Sequence, residues 1–203
     1  MIPTCIEGAT DHTIAEWIAA RIEAALANGP AAICVPGGST PFPIFAELAR
    51  LPLDWARVAI WPGDDRVVEE SSPASNVGRI RQAFAGTAAS VVALTPDAKP
   101  PHFALTWLGM GEDGHIASLF PSSDPRPDDP APVRRIVPDP LPPEAPYPRL
   151  TLTIPALLAS DAVMFLIRGD SKRAVFDAAA RGANDLPVAR LLGAARQEVT
   201  CWT

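Results

Sequence analysis

With 203 residues, 48% hydrophobic and 20% charged, the chain has the composition of a globular protein with one substantial core, and a single domain over residues 1–203 is expected. A net charge of −6 and a pI near 5.0 exclude a general nucleic-acid binder, because affinity for phosphate backbones comes from clustered Lys and Arg. The first residues lack the basic start of a signal peptide, and no run is apolar and long enough to span a bilayer, so no membrane partner and a cytoplasmic setting are expected.

In chain order, Asp11 can cap a helix whose apolar residues Ile14, Trp17, Ile18, Ile22 and Leu26 recur at helical spacing, with Asn28-Gly29 as the stop. Ala31–Val35 reads as a buried strand. The turn Pro36-Gly37-Gly38-Ser39-Thr40-Pro41 leads into a helix, Thr40 suiting the cap and Pro41 the first helical position. A strand over residues 57–61 and a helix capped by Ser75 and running to Phe84 follow, then apolar runs over residues 90–94 and 103–108. Residues 121–148 carry eleven prolines, which remove backbone donors and argue against regular helix across most of the stretch. It is expected to be an excursion within the domain, with a strand near residues 133–137. Strands over residues 149–153 and 162–168, helices over 171–181 and 187–192, and a last strand Glu198–Trp202 complete the chain. Alternation of strands and helices predicts a mostly parallel α/β sheet with helices on both faces, and ligands in such sheets sit beyond the carboxyl ends of the strands.

The candidate chemistry lies in the loops at those ends. Gly37-Gly38-Ser39-Thr40 combines glycines that let backbone amides approach a ligand with hydroxyls at a helix start, a sound phosphate cradle or a plain strand-to-helix turn. Asp64-Asp65-Arg66 crowds two carboxylates and a guanidinium at a strand end, either tuned for proton work or a solvated charged turn. The stretch from Gly109 to Pro121 holds three glycines within six residues and brings Asp113 and His115 together, and imidazole is the side chain best suited to accept a proton near neutral pH. Arg149 opens a strand. Lys172 stands in the first turn of a helix, where the dipole opposes it unless an anion is nearby. Cys5, Cys34 and Cys201, an odd and widely spaced set, show no metal-ligand spacing, so they are expected to be reduced and mostly buried.

In order along the chain, the motifs GGSTP from Gly37, DDR from Asp64, Ser75-Asn76, GMGEDGHIASLFP from Gly109, RLTLT from Arg149, Gly169 with Lys172, and the terminal residues 199–202 resemble the 6-phosphogluconolactonase family. That family shares a superfamily with glucosamine-6-phosphate deaminase. The resemblance implies a modified Rossmann-like fold and hydrolysis of 6-phospho-D-glucono-1,5-lactone to 6-phosphogluconate in the pentose phosphate pathway, with no metal or organic cofactor and a small phosphosugar lactone as sole partner. It further implies that His115 is the general base, with Asp64 and Asp113 beside it in the catalytic set. Gly38, Ser39, Thr40, Arg149 and Lys172 would hold the 6-phosphate, and Asp64, Arg66 and Asn76 would line the sugar site. The expected assembly is a monomer or weak homodimer. Arg66 differs from the aromatic residue that usually follows the acidic pair in the deaminases. Two departures stand out: Asp65 replaces a usual Glu, and Ala104 replaces an Asp at the start of its strand.

A lactone carbonyl is an activated ester, so one positioned base and donors for the oxyanion suffice. No GxSxG elbow surrounds Ser39 or Ser118, and direct water attack is the preferred course. Two other readings compete: an amino-sugar-phosphate deaminase or isomerase with Asp64 as proton shuttle, and a non-catalytic sugar-phosphate sensor, against which the retention of His115 and the acidic pair counts.

Overall fold

The computed structural model describes residues 3–139 and 146–203; residues 140–145, part of the proline-rich stretch, lie outside the described residues, and with them that part of the expected excursion. Seven parallel strands form the main sheet: β1 Thr4–Ile6, β2 Ala31–Val35, β3 Val58–Pro62, β5 Ser90–Val91, β6 Leu105–Leu108, β9 Ala162–Leu166 and β10 Glu198–Trp202, in the spatial order β1-β10-β9-β6-β2-β3-β5. A second sheet pairs β4 Asp64–Arg66, β8 Arg149–Leu152 and β7 Val133–Ile136 antiparallel in the order β4-β8-β7. The helices are α1 Asp11–Leu26, α2 Phe42–Leu48, α3 Asn76–Ala83, α4 Ile154–Leu158, α5 Asp170–Ala180 and α6 Pro187–Ala194.

Both faces of the main sheet are buried, as the near-continuous apolar strands require. Alternate residues of β9 divide between two cores. Ala162, Met164 and Leu166 join α1, α2 and α3 on one side, whereas Val163 and Phe165 join α5, α6 and the three-stranded sheet on the other. In the first core Phe45 touches Phe42, Phe84 and Trp107, with ring centroids 5.4 Å apart in each pair. This cluster anchors α2 directly after the glycine loop that follows β2.

The expected elements are present with shifted ends. Thr10, one residue before Asp11, caps α1 by accepting from the Thr13 amide at 3.1 Å. Ser75 caps α3 through the Gly78 amide, as its position implied. Thr40 does not cap α2: the cap position is Pro41, which has no side-chain acceptor, so the chain turns into the helix on proline's fixed φ alone. β1, β4 and α4 were not apparent from local pattern. β1 is three residues long, β4 is Asp-Asp-Arg, a composition poor in strand formers, and α4 is five residues long and follows its strand after the single residue Thr153.

Two features position the site. Strands β3 and β5 lie to one side of β2, whereas β6, β9 and β10 lie to the other, so the order in which the chain adds strands reverses between the parallel neighbours β2 and β6. Loops leaving that point diverge and open a crevice. At the end of β3 the chain crosses into the second sheet through Gly63, whose amide donates to Val35 O and whose carbonyl accepts from the Leu152 amide, both at 2.9 Å.

Phe45→Ala would leave a void among three aromatic rings. The expected loss is about 3–5 kcal/mol of folding stability, read as a lowered urea midpoint with little change in m-value.

Candidate active site

A cavity of about 270 Å³ opens at the reversal point. Its walls include Gly37, Gly38 and Thr40 after β2, Asp64 and Arg66 of β4, Asn76 of α3, His115 after β6, Arg149 of β8 and Lys172 of α5. Of the residues singled out in the sequence, Ser39 and Asp113 do not line it. Ser39 is exposed on the loop, and Asp113 stands behind His115.

The acidic pair divides its labour by strand alternation. Asp65 turns toward the start of α3. Its Oδ1 accepts from the Asn76 amide at 2.6 Å and the Arg66 amide at 2.8 Å, and its Oδ2 accepts from the Val77 amide at 3.1 Å. These bonds satisfy orphan donors of the first helical turn and place a negative charge at its positive end. Asp65 is thus a helix anchor, and Asp64 alone faces the cavity.

Asp64 is 7% exposed. Burial pushes its carboxyl above the usual carboxylate range, and a hydrogen bond from Ser118 with the charges of Arg66 and Arg149 opposes that rise. Asn76 Nδ2 donates to the Asp64 carbonyl at 2.9 Å and more weakly to its Oδ1 at 3.4 Å. The Asn76 amide also fixes the loop after β2, because a Cβ on Gly37 would come within 2.1 Å of its Oδ1. Asn76 therefore ties two walls of the site together.

Arg66 and Arg149 are register partners on β4 and β8. Like charges directly opposite one another repel. Burial, followed by the proximity of Arg66, lowers the pKa of Arg149. Arg66 Nη1 donates to Ala74 O at 2.9 Å, but its buried Nε finds no partner among the described residues. Lys172 also lines the cavity without an ion pair or hydrogen bond to another described residue. Three cations thus converge beside Asp64, which suits an anionic ligand in an acidic protein.

His115 Nδ1 lies 2.6 Å from Asp113 Oδ1. An ionised carboxylate only accepts, so the pair selects the Nδ1–H tautomer and leaves the Nε2 lone pair available. The loop is held by the Gly111 amide donating to His115 O at 3.0 Å and by the Val188 amide, an orphan donor of the first turn of α6, donating to Gly114 O at 3.1 Å. The Phe120 ring packs against the imidazole with centroids 4.9 Å apart.

The family model for glucosamine-6-phosphate isomerases/6-phosphogluconolactonase matches residues 7–98 and 86–202, nearly the whole chain. The chain belongs to that family. Among curated relatives, it is 35% identical to the 6-phosphogluconolactonase of Mesorhizobium japonicum over 92% of this chain and 87% of the relative. It is 36% identical to that of Pseudomonas putida over 86% and 80%. Its fold matches the crystal structure of 6-phosphogluconolactonase from Thermotoga maritima with a TM-score of 0.80 at 26% identity, covering 99% of this chain and 97% of that one. The Trypanosoma brucei 6-phosphogluconolactonase matches with a TM-score of 0.81 at 26% identity, covering 98% and 95%. The expected fold class, a mostly parallel α/β sheet with helices on both faces, is that of this family.

Sequence reasoning weighed Ser118 only as a nucleophile and missed its contact with Asp64, as well as the separate role of Asp65. The alternation of a strand was the available signal for Asp65, but recognising it required knowing that β4 is a strand.

A Cβ on Gly111 would lie 2.3 Å from both Cε1 and Nδ1 of His115. Gly111→Ala should therefore displace the imidazole from Asp113 and abolish the fixed tautomer, observed as averaging of the two ring ¹⁵N shifts in NMR. Unchanged ¹⁵N shifts would show that the loop absorbs the methyl group.

Proposed function

We propose that this chain hydrolyses 6-phospho-D-glucono-1,5-lactone to 6-phospho-D-gluconate, the reaction named by its relatives, through water activated by His115. The observation carrying this reading is the Asp113–His115 pair at the wall of a cavity that also holds three converging cations.

Asp113 holds the imidazole with Nε2 as the base. Water gives a proton to Nε2 as its oxygen bonds to the lactone carbonyl carbon. The carbonyl oxygen becomes an oxyanion, for which the guanidinium of Arg66 is a fitting donor. Collapse of the tetrahedral intermediate breaks the bond to the ring oxygen, which takes the proton back from Nε2 and becomes the free hydroxyl of the product. Atoms and charge balance over the cycle apart from the carboxylic proton, which leaves to solvent. In this reading Gly38, Thr40, Arg149 and Lys172 receive the 6-phosphate, Asp64 accepts from sugar hydroxyls, and Asn76 holds Asp64 in place. Ser39 contributes through its backbone, since its side chain lies outside the cavity lining. The course requires no metal, and chelator treatment should leave the rate unchanged.

The test is a coupled assay with freshly made lactone, measured against its spontaneous hydrolysis. His115→Ala should lower kcat by a factor of about 10² to 10⁴. His12→Ala and His102→Ala, at exposed positions paired with Glu16, Glu47 and Asp161, are the controls. Retention of full kcat by a folded His115→Ala protein would refute the assignment of the base.

The phosphate assignment has its own measurement. Gluconolactone without its 6-phosphate should be used at least about 100-fold less efficiently, the scale of losing charge-assisted hydrogen bonds. Equal efficiency on both lactones would refute it.

A further inference from the structure

Ser118 lies three residues beyond His115 and is a fully buried polar residue, with the buried apolar Ile116 and Leu119 close to it in the chain. Its Oγ donates to Asp64 Oδ2. Its amide donates to Thr151 Oγ1 at 3.2 Å, and Thr151 is the register partner of Asp64 on β8. Ala117, immediately before it, lines the cavity with φ at +48°, a left-handed conformation uncommon for a residue with a Cβ. Strain of this kind persists where surrounding bonds over-determine it. Here the turn carries the chain from the imidazole in the cavity wall to a hydroxyl lodged against the carboxylate.

We propose that Ser118 is a positioning residue: its hydroxyl occupies one oxygen of Asp64, leaves the other for the sugar hydroxyls, and couples that carboxylate to the loop bearing His115. This rests on the functional reading above for the identity of the sugar. A carboxylate has about four acceptor sites on its two oxygens. Ser118 takes one on Oδ2, and Asn76 makes only the weak 3.4 Å contact to Oδ1. Acceptor capacity therefore remains on the side lining the cavity. Because Ser118 and His115 belong to one short loop, a sugar held by Asp64 is registered against the base with only two residues between the two contacts.

The groups facing Asp64 set the expected pH effect. Arg66 on its own strand and Arg149 on β8 favour its charged form, together with the hydroxyl of Ser118. Burial and Asp65 disfavour it, and the buried Cys34 thiol on β2, whose own pKa the Asp64 charge helps to raise, is neutral. Removing the Ser118 hydroxyl takes away a donor that stabilises the carboxylate. Asp64 then takes up its proton at a higher pH, and the activity that depends on its charged form is lost at a correspondingly higher pH on acidification.

The experiment compares Ser118→Ala, Ser118→Cys, Asp64→Asn and the double variants. Cysteine fills nearly the same volume with a much weaker donor, so it tests the hydrogen bond where the void left by alanine disturbs folding. Folded Ser118 variants should lose about 10- to 100-fold in kcat/KM, the scale of one hydrogen bond to a charged group, chiefly through KM. The acid-side break that Asp64→Asn removes should move to higher pH. Adding either Ser118 change to Asp64→Asn should cost less than about twofold more, because the bond is already altered. A ¹³C NMR titration of the Asp64 carboxyl should show the same upward movement in Ser118→Cys. That readout needs no substrate, so a chain inactive on the lactone would reject the functional reading while the titration still decides this one. An unmoved Asp64 titration, or losses that simply add in the double variants, would overturn the proposal.

Discussion

The site exists because β2 and β6 are hydrogen-bonded neighbours whose chains depart in opposite directions. In a parallel sheet each strand must send its chain over a face to return, and neighbours that go to the same side crowd their loops together. Only at the reversal do the loops part. The glycine loop after β2 and the histidine loop after β6 are the two lips of that gap, and the small antiparallel sheet brings β4 and β8 to it. The burial of Asp64, the pairing of Arg66 with Arg149 and the exposure of His115 to the cavity all follow from this placement.

The electrostatics of the cleft invert those of the molecule. A chain of net charge −6 collects Arg66, Arg149 and Lys172 around one cavity, which Asp64 lines as the one carboxylate among the described residues. The second carboxylate of the acidic pair is spent on the N-terminus of α3 and does not neutralise the cations. Such a cleft focuses positive potential where low-dielectric walls limit screening, so an anionic substrate is attracted to one place on an otherwise repelling surface. The same field favours the oxyanion that forms when a lactone carbonyl is attacked.

Much of this was legible in the chain, for definite reasons. α1, β2, α3 and β10 have caps, stops or apolar runs that act locally, and their positions were readable to within a residue or two. The stretch from Gly109 to Pro121 was readable because glycines, an acid and a histidine in so few residues leave little room for another arrangement. β4 was not readable: Asp-Asp-Arg becomes a strand through β8, more than eighty residues later. Everything depending on that pairing was hidden with it, including the division between Asp64 and Asp65, the juxtaposition of Arg66 with Arg149, and the contact of Ser118 with Asp64. Long-range pairing overrides local propensity at this point, and it does so at the site itself.

The crossing at Gly63 has a consequence for how the acidic pair is specified. Because Asp64 and Asp65 are the same residue, a slip of β4 by one position would still put an aspartate in one of the two places, while Gly63 or Arg66 would enter the other. The identity of the two side chains alone does not say which is anchor and which is site carboxylate. The choice falls to the backbone of Gly63, held to Val35 of one sheet and Leu152 of the other, and to Arg66, the first residue whose displacement would be felt. Transplanting this motif into another scaffold would therefore fail if only the three side chains were moved; the two-sheet clasp at the glycine is the part that carries the alignment.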